Sequence, residues 1–181
     1  MSKARDLANA GTALTTVDAT ELGYLDGVTS AIQTQINTKA ASSSPTLTSP
    51  IVISPEERTT ISATAATGTV DFDASTQGVL YYTTDASGNW TLNVRGTSGT
   101  TLNSVLATGD AITIAFLVTN GATAYYQTAF NIDGSTVTPK YSGGTAPAAG
   151  NASAIDIYTY TIVKTASATF TVFGAGPIKY A

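Results

Sequence analysis

A chain of 181 residues has room for one substantial core and an additional extended or helical segment, not for two large cores. Only 11% of the residues are charged, well below the roughly one quarter usual in soluble domains, so Thr, Ser, Ala and Gly must supply most of the surface. A net charge of -4, with the eight Lys and Arg scattered from Lys3 to Lys179, offers no basic face for nucleic acid, and the lack of Cys and His removes thiolate nucleophiles, Cys/His zinc sites, disulfides and the commonest general base near neutral pH.

At the N-terminus, MSKARDLANAG lacks the apolar stretch of a secretory signal, and nowhere does an unbroken apolar run reach about 18 residues; neither export nor membrane insertion is expected. Ser2 precedes a short helical pattern ending near Gly11, and Asp18 or Thr20 is placed to cap a second helix from about Glu21. Leu25, Val28 and Ile32 then fall at spacings of three and four, Gln35 continues the seam and Ile36 lies beside it. This heptad fragment spans about two heptads and contains Gly27, with Gly23 just before it; both are too few and too weak to hold a lone helix in water. These five residues are the expected association seam between chains.

Pro45, Pro50 and Pro55 follow at intervals of five, each removing a backbone donor and holding its predecessor extended. Between them Ile51, Val52 and Ile53 are too apolar for a solvated tether and are expected to pack against sister chains; the alternative is a stiff linker lying on its own domain. The segments expected are therefore 1–40 for attachment and coil, 41–63 for the connector, and 64–181 for a β domain.

From Thr69 onward alternating or β-branched runs bounded by Gly, Asn, Asp and Ser predict strands near 69–74, 79–84, 90–95, 111–119, 124–132, 136–141, 154–164 and 169–173. Asp85-Ala86-Ser87-Gly88 and Ile132-Asp133-Gly134-Ser135 have hairpin composition, while the longer loops 96–103 and 143–153 suit crossings between two sheets. The fold class expected is mainly β: an antiparallel, jelly-roll-like sandwich. Trp90, Leu92 and Val94 share one strand face, as do Ile112, Ile114, Phe116 and Val118, and these are the expected core.

Candidate chemistry is sparse. Asp71 and Asp73 flank Phe72, so a strand would put both carboxylates on one face about 7 Å apart, a spacing usable for a cation or for acid/base work. With no further oxygen ligands nearby in sequence, two solvated carboxylates are the simpler reading. Glu56-Glu57-Arg58 reads as a solvated charge cluster, and Gly96-Thr97-Ser98-Gly99 lacks the Gly-Lys-Ser/Thr of a phosphate loop. No catalytic residue, metal site or cofactor is assigned. Tyr81, Tyr82, Tyr125, Tyr126, Tyr158 and Tyr160 occur as adjacent or alternate pairs in predicted strands. Adjacent positions point to opposite faces, so some of these rings should lie outward, at a subunit interface or against a glycan.

The stretch ATELGYLDGVTSAIQTQIN, from Ala19 to Asn37, closely resembles a segment that recurs in tail-fibre proteins of tailed phages, where it forms a short trimeric helical element. There it is often followed by a Ser-Pro-Thr-Leu-Thr piece, matched here by Ser44 to Thr48. The sequences from Ala86 to Gly96 and from Ser153 to Tyr160 resemble a β domain found near the C-terminus of structural proteins of marine phages, cyanophages included. The resemblance implies a virion protein assembled in the host cytoplasm: a homotrimeric short fibre held to other virion proteins by its first 14 or so residues. It would project a β head able to touch host-surface glycan. The lack of a long repetitive shaft keeps a capsid decoration protein as the alternative, and a polysaccharide depolymerase using Asp71 and Asp73 as a third.

Overall fold

The computed structural model describes residues 3–4, 51 and 53–181, so the seam residues Leu25, Val28, Ile32, Gln35 and Ile36, and with them Val52, lie outside the described residues. Of the two units into which the chain divides, Met1–Ile53 and Ser54–Ala181, the second is described throughout. Ile51 and Ile53 stand exposed.

The second unit contains ten strands and one short helix: β1 (Thr59–Ala65), β2 (Gly68–Asp73), β3 (Val79–Thr84), β4 (Trp90–Arg95), α1 (Leu102–Val105), β5 (Ala111–Asn120), β6 (Gln127–Ile132), β7 (Ser135–Thr136), β8 (Lys140–Tyr141), β9 (Ala154–Ala166) and β10 (Thr169–Tyr180). They form a large sheet of order β1-β3-β5-β9-β10-β8 and a small sheet of order β2-β4-β6-β7. The mainly β class is thus as expected, and the inner faces of the two sheets share one core.

The antiparallel, jelly-roll-like arrangement is not what the chain adopts. From β1 to β6 each strand joins the sheet opposite its predecessor, so strands meeting within a sheet run the same way: β1, β3 and β5 are parallel, as are β2, β4 and β6. A parallel pair needs a crossover, and here the crossover is a strand of the facing sheet. The turn at 85–88 is accordingly no hairpin; it carries the chain between sheets, with the Ala86 amide donating to Thr119 O and the Ser87 amide to Ala66 O. Antiparallel pairing is confined to β5 with β9, β9 with β10, and the β6–β7 hairpin. That hairpin does turn on Asp133-Gly134: both have positive φ, 52° and 79°, as a type I′ turn requires.

Two further expectations are corrected. Strand β1 pairs with β3 in register from Thr59↔Val79, so the folded unit begins well before residue 64. The single strand expected at 136–141 is split: β7 joins the small sheet and β8 the large one.

Trp90, Leu92, Val94, Ile114, Phe116 and Val118 are buried, and Ile112 packs against them partly buried. The Trp90 ring meets Phe116 edge-on across the sandwich at 5.8 Å between centroids, and Tyr158 at 6.0 Å. Phe130 of the small sheet meets Tyr160 of the large one at 4.6 Å. Such contacts contribute roughly 0.5–1.5 kcal/mol each beyond the burial of their area.

Candidate functional site

The two outer faces of the sandwich differ in chemistry. On the small sheet, the parallel register places Asp71 beside Asn93 and Asp73 beside Arg95. Arg95 bridges both carboxylates: its Nη1 lies 2.8 Å from Asp71 and its Nε donates to Asp73 at 2.6 Å. Asn93 Nδ2 donates to Asp71 at 2.7 Å, and Asn93 Oδ1 accepts the Gly134 amide. The hydrogen bond to Asp73 is the largest influence holding the Arg95 guanidinium above its ordinary range, against a smaller opposing effect of burial. Beside this cluster Asn93, Arg95, the loop from Thr97 to Thr101 and Asp133 line an open depression of about 360 Å³.

The charged groups that the fold buries or half-buries each brace another part of the chain. From the type I′ turn, Asp133 accepts the Leu102 and Asn103 amides at 2.6 and 3.0 Å, satisfying orphan donors at the start of α1. Buried Lys164 of β9 donates to Asn103 O and Leu106 O at 2.6 and 2.8 Å at the other end. A helix of four residues cannot persist on propensity alone, so these two side chains, with Thr101 as N-cap, fix it. Asp156, fully buried in β9, accepts from Asn120 Nδ2 at 3.0 Å, from the Asn151 amide at 2.9 Å and from Asn151 Nδ2 at 2.7 Å. Asn120 also clasps Tyr125 through its amide and carbonyl, so Asp156 ties together the loops 121–126 and 145–153. Gly150 is required there because a Cβ would overlap the Tyr125 carbonyl.

The outer face of the large sheet carries no charge on β1, β3, β5, β9 or β10. One row runs across all five strands in register: Ile61↔Tyr81↔Leu117↔Ile157↔Ile178. The next runs Thr59↔Val79↔Ala115↔Thr159↔Ala175, and beyond the first lies Thr119↔Ile155↔Tyr180. Ile61 is 68% exposed, Phe173 49%, Ile178 46% and Tyr180 55%. Charge lies at its margins, where Lys140 of β8 sits 6.0 Å from the Phe173 ring and Arg58 and Lys179 flank Thr59 and Ile178 in the chain. An apolar recess of about 400 Å³, lined by Thr119, Ile155 and Tyr180 among others, lies at one end of this face.

The tyrosines divide accordingly. Tyr81 lies in the outward apolar row; Tyr82 turns inward and meets Phe116 at 5.7 Å; Tyr125 packs against the core and Tyr126 is half-buried. Tyr158 and Tyr160 are wholly buried, which corrects their assignment to an outward contact: two residues apart, both point into the core. Burial drives both hydroxyls far above the ordinary tyrosine range, with the Asp156 charge adding to Tyr158 and Tyr141 to Tyr160. Their hydroxyls lie against buried Gln127, and that of Tyr160 also against Tyr141, without hydrogen bonds of good geometry.

Reading along the chain does not find Asn93, Arg95, Asp133, Asp156 or Lys164. The signal that existed was the Asp-Gly turn, which fixes where the Asp133 carboxylate must be. Compared with protein-family models, with curated proteins and with solved structures, the chain matches none.

Proposed function

We propose that this chain is a non-enzymatic structural protein of a virus particle: a short trimeric fibre, attached through its first residues and projecting the β unit as a head. The observation that carries the reading is that Asp73, Arg95, Asp133, Asp156 and Lys164, the charged groups drawn into the described fold, all hold backbone or one another in place. That is the use of charge in a scaffold. The phage-fibre-like segment from Ala19 to Asn37 and the exposed Ile51 and Ile53 ahead of the β unit support assembly with sister chains. In particles produced with a chain lacking residues 1–14, the protein should be lost from the purified virion; undiminished incorporation would refute N-terminal attachment.

A capsid decoration protein is the second reading, favoured by the hydroxyl-rich β head and the short chain. Copy number per particle separates the two: a few to a few tens for a tail fibre, many more for a shell protein. A depolymerase using Asp71 and Asp73 is disfavoured by the Arg95 bridge, and would require release of reducing sugar ends that Asp71→Asn abolishes.

A further inference from the structure

We infer that the outer face of the large sheet is where copies of this chain meet, so that the β unit carries a subunit interface of its own. The inference rests on the reading of the chain as a homo-oligomer and adds the surface that makes it one.

A strand exposed to water on one face alternates apolar and polar; a strand apolar on both faces is covered on both. In β9 the inward residues Tyr158, Tyr160 and Ile162 alternate with outward Ile155, Ile157 and Val163, and in β5 inward Ile114 and Phe116 alternate with outward Ala115 and Leu117. The small sheet covers the inner side. Nothing in the chain's described residues covers the outer one.

Its size suits a protein partner. Five strands stand side by side over the register of Ala115 to Thr119, about 19 Å by 13 Å, and β5, β9 and β10 continue for about 13 Å to Ala111, a projected footprint of about 380 Å² before side-chain relief is counted. Stable interfaces take about 800 Å² of accessible surface from each partner; in flat projection this face supplies about half of that, and the relief of its exposed Ile61, Phe173, Ile178 and Tyr180 side chains adds to it.

Its chemistry selects further copies of this chain, their large sheets turned toward a common axis. The chain is acidic, net -4, and Asp71, Asp73 and Asp133 stand on the opposite side. Copies that join through the large sheet turn these carboxylates away from one another, whereas contact through the small sheet would bring them together. Four of the threonines interleaved with the apolar rows are already bonded within the sheet: Thr113 to Thr161 at 3.2 Å, Thr119 to Tyr82 O at 3.0 Å and Thr83 to Ser62 O at 3.1 Å. Covering these therefore strands no hydroxyl of theirs.

The test uses the full chain, by light scattering at tens of micromolar. The triple variant Ile61→Glu, Leu117→Glu, Ile178→Glu places carboxylates along one row and should weaken association by at least about 100-fold, since like charges forced together at an interface cost several kcal/mol. Thr91→Glu, on the outer face of the small sheet, should leave the mass unchanged. A triple variant that keeps the wild-type mass overturns the interface while leaving the oligomer reading intact; a monomeric wild type overturns both. Because the chain has no Cys, Ile178→Cys supplies a unique thiol and a check that does not depend on the triple variant folding. Its labelling should be slow in the oligomer and rapid once dilution dissociates it, and rapid labelling of an intact oligomer also overturns the interface.

Discussion

Replacing Asp156 by Ala removes the acceptor on which two loops converge. Three donors, Asn120 Nδ2, the Asn151 amide and Asn151 Nδ2, bond to this carboxylate at 2.7–3.0 Å. Hydrogen bonds to a charged group are each worth about 1.5–3 kcal/mol net, so the upper bound is large. Asn151 is half-exposed and can turn to water, while Asn120 is buried and keeps only its bonds to Tyr125. The loss expected for Asp156→Ala is therefore about 3–5 kcal/mol, much of it the cost of the buried amide left unpaired. With a urea dependence of about 1.5 kcal/mol per molar, the unfolding midpoint should fall by about 2–3 M at fixed protein concentration. Asp156→Asn keeps one acceptor oxygen, and the Asn151 amide can rotate to offer its own oxygen to the new NH₂ group, so a smaller loss of about 1–2 kcal/mol is expected. A midpoint shift under about 0.5 M for the Ala variant, or equal losses for Ala and Asn, would refute the role given to this carboxylate.

Removing the bridge on the small sheet with Arg95→Met should cost only about 0.5–1.5 kcal/mol, because both ion pairs are partly solvated, and the loss should shrink in 1 M salt; thermal melts at two ionic strengths check it. Tyr158 and Tyr160 resist ionisation in the folded state, whereas unfolded tyrosine ionises near pH 10; stability is complete below that pH and falls above it, by up to about 1.4 kcal/mol per pH unit for each ring. The Tyr158→Phe, Tyr160→Phe double variant should be neutral or slightly more stable at pH 7, having lost two hydroxyls without hydrogen bonds of good geometry, and should flatten that alkaline decline; urea midpoints from pH 8 to 11.5 that decline as steeply as wild type would contradict this.

Local pattern located strands well and sheets poorly. Strands β3 and β4 have the bounds that β-branched runs and their flanking Gly, Asp and Asn imply, and Trp90, Leu92 and Val94 lie in the core that alternation predicts. Which sheet a strand joins depends on partners distant in sequence, and Asp85-Ala86-Ser87-Gly88 has the same composition whether it closes a hairpin or carries the chain across the sandwich. The β1 segment TTISATA shows no alternation because it is an edge strand exposed on most of its length. In β9, apolar residues at both parities left alternation unable to say which way Tyr158 and Tyr160 point, yet that same double-sided pattern is the sequence signature of the outer apolar face. The clamp on α1 was not legible at all, since Asp133 and Lys164 reach it from about 30 and 60 residues away.

The most direct test of the account is the native mass of the full-length chain and of residues 54–181, each at a few to tens of micromolar. A trimeric fibre with an interface on the large sheet requires three times the 18.4 kDa chain mass for the full-length protein, with the shorter chain retaining self-association. A full-length chain that stays monomeric throughout that range would contradict both the fibre and the interface assigned to it.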